Sequence, residues 1–194
     1  MNHYYQSIKG WFSFKQVYEE AVRDAPNPAH FVEVGSYKGR SASFMAVEII
    51  NSGKKIRFDC VDTWQGSEGN QKLEPEHVAG VMYDVFLNNT SPVKDSLIAF
   101  RCSSVEGAKL YADNSLDFVF IDADHKYQHV VDDLKAWWPK VKPGGVFAGD
   151  DFHGAGVKKA VEEMFGIGGV EDITGTGTGR QWRIRKRSRF RMIP

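Results

Sequence analysis

Short apolar runs alternate along the chain with longer stretches whose apolar residues recur at helical spacing. The runs predict strands over 30–34, 56–61, 96–102, 116–121 and 146–149. Helical spacing predicts helices over 40–50 (Phe44, Val47 and Ile50 on one face), 75–87, 105–111, 128–138 and 157–165. Pro75 stands in the first turn of one helix and Gly53 closes another. The Val141-Lys-Pro-Gly-Gly145 segment reads as a turn into the fifth strand. Such alternation builds a mostly parallel sheet with helices on both faces. Two further runs, 170–173 and 181–185, are joined by the Gly-Thr-Gly-Thr-Gly of 175–179 and read as an antiparallel hairpin. Ahead of the first strand, Trp11, Phe12, Phe14, Val17, Tyr18, Ala21 and Val22 predict a lead-in helix that Pro26-Asn27-Pro28 stops. That helix either closes over a site or packs on the sheet edge.

The pattern describes one domain over 1–194: a lead-in (1–28), a core (29–165) and a C-terminal hairpin with a tail (166–194). A chain of 194 residues is long enough for a single substantial core, and 42% apolar residues exclude a disordered chain. Cys60 and Cys102 sit in apolar strand-like runs without metal-ligand spacing, which predicts buried free thiols in a reducing compartment. The N-terminal stretch lacks the apolar core of a signal peptide, and no run approaches the length that crosses a bilayer. The expectation is a cytoplasmic protein without a membrane partner.

Chemistry-bearing residues gather where strands end, the place where open parallel sheets bind ligands. After the first strand comes Glu33-Val-Gly-Ser-Tyr-Lys-Gly-Arg-Ser41, and Asp62 ends the second strand. Glycine-rich turn, helix, strand and acid outline a nucleotide-type pocket. Glycines four apart are not the G-x-G-x-x-G of dinucleotide proteins, and Glu33 suits a cationic cofactor better than a pyrophosphate. This disfavours a dinucleotide-dependent oxidoreductase. Asp122 ends the fourth strand with Asp124 and His125 behind it, and Asp150 and Asp151 end the fifth. Carboxylates on neighbouring strand ends are hard oxygen donors suited to Mg²⁺, Mn²⁺ or Ca²⁺. A lone acid in such a place is often only a helix N-cap; three, with a histidine beside them, point to a cation site next to a base.

The segment FVEVGSYKGRSASFMA, with IDADH and GGVFAGDD at the matching strands, resembles the class I S-adenosylmethionine-dependent methyltransferases over roughly residues 30–165. Within that class the likeness is to the metal-dependent O-methyltransferases of the catechol type and the macrocin-type sugar O-methyltransferases. The resemblance implies a Rossmann-like, doubly wound, mostly parallel seven-stranded sheet and S-adenosylmethionine as cofactor. It assigns Glu33, Gly35, Ser36, Tyr37 and Gly39 to the methionine end and Ser41 to its carboxylate. Asp62 is assigned to the ribose, Thr63 and Trp64 to the neighbourhood of the adenosine, and Ser103 and Ser104 to the adenine, with Asp122 closing the pocket. It assigns a divalent cation, Mg²⁺ foremost, to Asp122, Asp150 and Asp151, and the role of base to His125. A histidine at this offset is the sugar-type variant; the catechol type has lysine. Asp124 is left to cap the turn or steady His125. His153 is either a contact at the site or part of a surface turn. His129, Asp132 and Asp133 read as surface groups.

Residues 180–191 hold seven of the 25 Lys and Arg and no acid. Arg183, Arg185, Arg187, Arg189 and Arg191 alternate with other residues at period two, an extended segment with a cationic face. It reads as an exposed terminal strand with a charged edge, or as an attractor for an anionic acceptor such as a nucleotide-linked sugar. One basic strand without an RNA-binding motif is thin support for nucleic acid. The function expected is a metal-assisted O-methyltransferase acting on a small hydroxylated acceptor of sugar or natural-product type. Its rivals are a metal-independent methyltransferase of the same fold and a non-catalytic cofactor-binding regulator or scaffold. Exposed aromatics in the first twenty residues fit a homodimer.

Overall fold

The computed structural model describes residues 1–66, 75–166, 171–172 and 181–187. The expected loop segment 67–74, the Gly-Thr repeat of 175–179 and the tail beyond Arg187 lie outside the described residues, as do Val170 and Ile173 of one expected strand. Chain order runs α1 (Lys15–Asp24), β1 (Ala29–Val34), α2 (Arg40–Ser52), β2 (Ile56–Asp62), α3 (Pro75–Val78), α4 (Met82–Thr90) and β3 (Ile98–Arg101). It continues through α5 (Ser104–Ala108), β4 (Leu116–Ile121), α6 (Tyr127–Trp137), β5 (Val141–Gly149), α7 (Ala155–Phe165), β6 (Glu171–Asp172) and β7 (Trp182–Arg185). The strands form one sheet in the order β3-β2-β1-β4-β5-β7-β6. β1 to β5 run parallel, and β7 lies antiparallel between β5 and β6. The order reverses between β1 and β4, so the switch point falls between Gly35 and Asp122.

Period-two alternation sorts each central strand. Phe31 on β1 and Phe118 and Phe120 on β4 join Phe14, Tyr18, Phe44, Phe58 and Phe86 in a core beneath α1, α2 and α4. Val32, Val34, Val119 and Ile121 face the other side, with Leu134, Trp137, Trp138, Phe147 and Trp182 beneath α6 and α7. Each such side chain contributes on the order of 1.5–3 kcal/mol on burial. The same alternation turns Glu33 toward α1, where it is 1% exposed. α1 is stopped by Lys54, whose Nζ donates to the carbonyls of Val22, Arg23 and Ala25.

Several expectations change. The lead-in is a helix only from Lys15; a short 3-10 turn at Tyr5–Ser7 and an irregular stretch through Gly10–Ser13 precede it. The helix expected over 75–87 is two, separated at Gly80, which takes φ 72. Val141–Gly145 is not a separate turn: Val141 already pairs with Leu116, and a register shift absorbs the Pro-Gly-Gly stretch. β7 is interior rather than an edge, with Trp182 and Ile184 buried. Arg183 is tied to Glu20 at 2.6 Å, and Arg185 donates to the Gly144 carbonyl. Cys60 is buried, but Cys102 is only partly so. Asp133 is 4% exposed, not a solvated charge, and its burial pushes the carboxyl up to about 6. Among the described residues no helix is long and apolar enough to cross a membrane.

Candidate active site

The turn after β1 is forced into shape by its neighbour across the switch point. Gly35 has φ 91, and a Cβ there would lie 1.9 Å from the Asp122 carbonyl oxygen. The two strand ends are thus pressed backbone to backbone, with Asp122 N–H donating to the Val34 carbonyl. Gly39 is confined from the helix side: a Cβ would meet Thr90 Cγ2 at 2.7 Å. Asp62 knots the turn. Its Oδ2 accepts from the backbone N–H of Ser36 and Tyr37 at 2.9 and 2.8 Å, and its Oδ1 from Trp64 N–H at 2.7 Å. A carboxylate offers about four lone-pair directions. Three are used, so a second ribose hydroxyl would have to share an oxygen or displace an N–H.

The remaining cofactor candidates divide between struts and open groups. Trp64 is 2% exposed, packs on Tyr83 and Phe86, and donates from Nε1 to the Tyr37 carbonyl. Its indole braces the turn. Thr63 Oγ1 accepts from Gln65 N–H. Ser103 caps α5 through Glu106 N–H, and Ser104 Oγ accepts from Trp137 Nε1 at 2.9 Å, so both hydroxyls already serve the protein. Ser36 and Ser41 are buried in the turn and the first turn of α2. Glu33 and Ser36 carry the unsatisfied atoms of this turn: Ser36 Oγ is buried with no hydrogen-bond partner, and Glu33 is the charged group of the two. Its Oε2 accepts from Tyr18 Oη at 2.6 Å, while Oε1 is buried with no hydrogen-bond partner. A buried, orphaned carboxylate oxygen beside a glycine turn is what an ammonium-bearing ligand would satisfy, and the fit to the amino-acid end of S-adenosylmethionine is good.

Burial pushes the Glu33 carboxyl up to about 7, with the Tyr18 hydrogen bond and the nearby Ser36 and Ser41 hydroxyls opposing it. A carboxyl raised in the folded state adds stability below its unfolded value of about 4.5 and loses it as pH rises through the folded value. Glu33→Gln should therefore flatten the ligand-free protein's loss of stability between about pH 4.5 and 7. The slope removed is up to about 1.4 kcal/mol per pH unit, readable by denaturant melts across that range. An unchanged slope would show that Glu33 is ionised throughout.

At the other end of the site, Asp122, His125 and Asp151 offer ligand atoms that all lie within 4.8 Å of one another. His125 Nε2 stands 2.7 Å from Asp151 Oδ2 and 3.8 Å from Asp122 Oδ1. The Asp122 and Asp151 carboxylates push the imidazole up to about 10, against partial burial. Burial raises Asp122, and burial with the Asp122 charge raises Asp150 to about 6. Two carboxylates and an imidazole packed this closely fit a divalent ion, Mn²⁺ as well as Mg²⁺. Asp150 lies beside this set, near enough to feel the Asp122 and Asp151 charges, but is not one of its members. Its Oδ1 accepts from Gln181 Nε2 at 2.7 Å, and Oδ2 has a long 3.5 Å contact with Ser13 Oγ. Asp151 takes φ 55, as Tyr37 and Trp64 take φ 47 and 53. Three of the four non-glycine residues with positive φ among the described residues are thus site candidates; the fourth, Asn114, is not.

Asp124 caps its turn through Lys126 N–H and pairs with His129 at 2.9 Å rather than with His125. His153 Nδ1 is 3.7 Å from Asp151. Three groups were not assigned to the site from the sequence. Tyr18 reaches Glu33 from α1; Gln181, fully buried, bridges Ser13 and Asp150; and Trp11, 86% exposed, stacks on Tyr37 with centroids 6.5 Å apart. Trp11 and Tyr18 entered there only as apolar positions of the lead-in, and Gln181 only as the start of an expected strand.

A family model described as "Methyltransferase domain" matches residues 32–152. Uncharacterized protein R132 of Acanthamoeba polyphaga mimivirus is 30% identical over 132 residues, 63% of this chain, and the chain spans about half (51%) of that curated relative. The solved O-methyltransferase NovP superposes with a TM-score of 0.68 at 18% identity, over 90% of this chain and 80% of its own. CalS11, a TDP-rhamnose 3'-O-methyltransferase of calicheamicin biosynthesis, gives 0.60 at 15% identity, over 88% and 76%. The family model spans both strand ends that build the site, from the β1 turn to Asp151, and the chain belongs to the methyltransferase domain family, with the class I methyltransferase fold.

Proposed function

We propose that the protein is an S-adenosylmethionine-dependent O-methyltransferase that uses a divalent cation and acts on a small hydroxylated ring of sugar or natural-product type. The observation that carries this reading is the juxtaposition at the switch point. The Gly35 turn is pressed against Asp122, so cofactor turn and acid–histidine cluster share one wall. Glu33 Oε1 would receive the cofactor's ammonium, and Asp62 a ribose hydroxyl. Bound there, the cofactor would supply an electrophilic methyl group.

Asp122 and Asp151 would hold the cation, with Asp150 as the neighbouring third carboxylate, whose Oδ2 contact with Ser13 is a long one. A cation in this place lowers the acceptor hydroxyl's pKa. His125 would take the hydroxyl proton on Nε2 once Asp151, which holds that nitrogen at 2.7 Å in the cation-free protein, turns its carboxylate to the cation. The base–carboxylate pair also supports a second reading, in which His125 and Asp151 suffice without a cation. Methyl transfer from S-adenosylmethionine to a nucleotide-linked deoxyhexose and to a catechol, with and without exhaustive chelation, tests both readings. Loss of product on chelation and its return with Mg²⁺ or Mn²⁺ is the expected result.

Trp11 would form the acceptor wall. Gly10 and Ser13 are pinned on either side of it, by Arg40 and by Gln181 and Asp150. Its exposed indole offers a flat apolar face of the kind that rings stack on. The other four tryptophans, Trp64, Trp137, Trp138 and Trp182, are at most 3% exposed, so iodide quenching reads Trp11 alone. A hydroxylated ring acceptor should shield Trp11 from iodide, and Trp11→Ala should raise its KM about tenfold with kcat little changed, the loss of roughly one stacking contact. An unchanged KM would remove Trp11 from the acceptor site.

A further inference from the structure

Tyr18 is a buried ionisable side chain that the reaction does not use and whose place in the core does not call for a hydroxyl. Its ring fills the core between α1 and the sheet, edge-on to Phe118 and Phe120 with centroids 5.9 and 5.1 Å away, a place phenylalanine would fill equally. The hydroxyl adds one contact, to Glu33 Oε2 at 2.6 Å, in a pair that is no more than 1% exposed. The opposite oxygen, Oε1, is the orphan.

We propose that Tyr18 is a positioning residue for the cofactor: its hydroxyl holds Glu33 by one oxygen so that the other is presented, unpartnered, to the ligand's ammonium group. The inference rests on the reading of Glu33 as the ammonium acceptor. It makes the lead-in helix part of the cofactor site, through a contact that no motif marks. A carboxylate free to rotate would spend its ordered geometry on binding, and one without a donor would be costlier to keep ionised in an apolar setting. Burial and the neighbouring Glu33 push the Tyr18 phenol well above its ordinary value, so it stays a donor throughout the working pH range. The other groups that act on the pair are Asp122, after the end of β4, Cys60 on β2, whose thiol burial pushes up and keeps neutral, and the Ser36 and Ser41 hydroxyls near Glu33. All are the same in every variant compared.

The test is a double-mutant cycle read by calorimetric titration with S-adenosylhomocysteine in chelator, on wild type, Tyr18→Phe, Glu33→Gln and the double variant. Tyr18→Phe should weaken binding about tenfold at pH 7, the scale of a hydrogen bond to a charged group, and recover part of the loss by pH 9. In the Glu33→Gln background the same change should cost less than about threefold, because no carboxylate remains to be held. A thermal melt of each variant checks that the ring still fills the core. Wild-type affinity in Tyr18→Phe, or an equal loss in both backgrounds and at both pH values, would overturn the positioning role. Failure of wild type itself to bind S-adenosylhomocysteine would instead overturn the methyltransferase reading beneath it.

Discussion

Gly35→Ala should abolish cofactor binding and destabilise the protein by roughly 2–5 kcal/mol, the sum of two penalties. Alanine at φ 91 carries a left-handed backbone cost of about 1–2 kcal/mol. Its Cβ would also fall 1.9 Å from the Asp122 carbonyl oxygen and 2.5 Å from the carbonyl carbon, which must move, adding about 1–3 kcal/mol of overpacking. Backbone, unlike a side-chain tip, has no rotamer into which to retreat. The displaced element is the end of β4, so the same movement disturbs the turn that faces the cofactor and the strand end that carries Asp122. Chemical denaturation of the variant measures the first effect, and titration with S-adenosylhomocysteine the second. Gly53→Ala is the control, since it also has a positive φ (66) but nothing within 4 Å of a Cβ.

His125→Ala should lower kcat by about 10²–10⁴-fold, the usual worth of a positioned general base, while S-adenosylhomocysteine affinity stays within about twofold of wild type. The ring is half-exposed and bonded only to the acid cluster, so its removal leaves the core untouched. The cluster also sets a pH signature. In the cation-free protein the Asp122 and Asp151 carboxylates hold the imidazole proton up to about pH 10, so at neutral pH His125 is charged and no base. Once those two carboxylates give their charge to a cation, the ring loses the partners that keep it protonated. The rate should therefore rise with pH toward 10 under chelation and reach its plateau at lower pH with saturating Mg²⁺ or Mn²⁺. Turnover that survives in His125→Ala would remove the base assignment.

How far the sequence carried depended on whether a feature was local. Strands were legible because alternation is: the period that buries Val32 and Val34 on one side of β1 and Phe31 on the other also aims Glu33 at α1. The break between α3 and α4 was not, because Val78, Val81, Met82, Val85 and Phe86 keep helical spacing across Gly80. At Val141–Gly145 the local turn signal of Pro-Gly-Gly was outvoted by pairing with β4, a long-range contact. The interior place of β7 has the same origin, since strand order is not written in any one strand.

In the site, residue types at strand ends were readable, but their aim was not. Asp150 and Asp151 are adjacent and chemically alike. A positive φ at Asp151 accompanies its approach to His125, while Asp150 is taken up by Gln181 from β7's side of the sheet. The resemblance assigns Ser103, Ser104 and Trp64 to the cofactor; in the structure each has, besides, a hydrogen bond to the protein itself, which no local pattern foretells. Tyr18 meets Glu33 because α1 packs at one particular rotation, which no pattern of 3.6 residues specifies to the nearest side chain.

The most direct measurement is calorimetric titration of the wild-type protein with S-adenosylhomocysteine, repeated with NAD and with Gly35→Ala. One-to-one saturable binding of S-adenosylhomocysteine, none of NAD and none by the variant is the result expected from a cofactor turn pressed against Asp122. Wild-type protein that takes up NAD, or that leaves S-adenosylhomocysteine unbound, would contradict it.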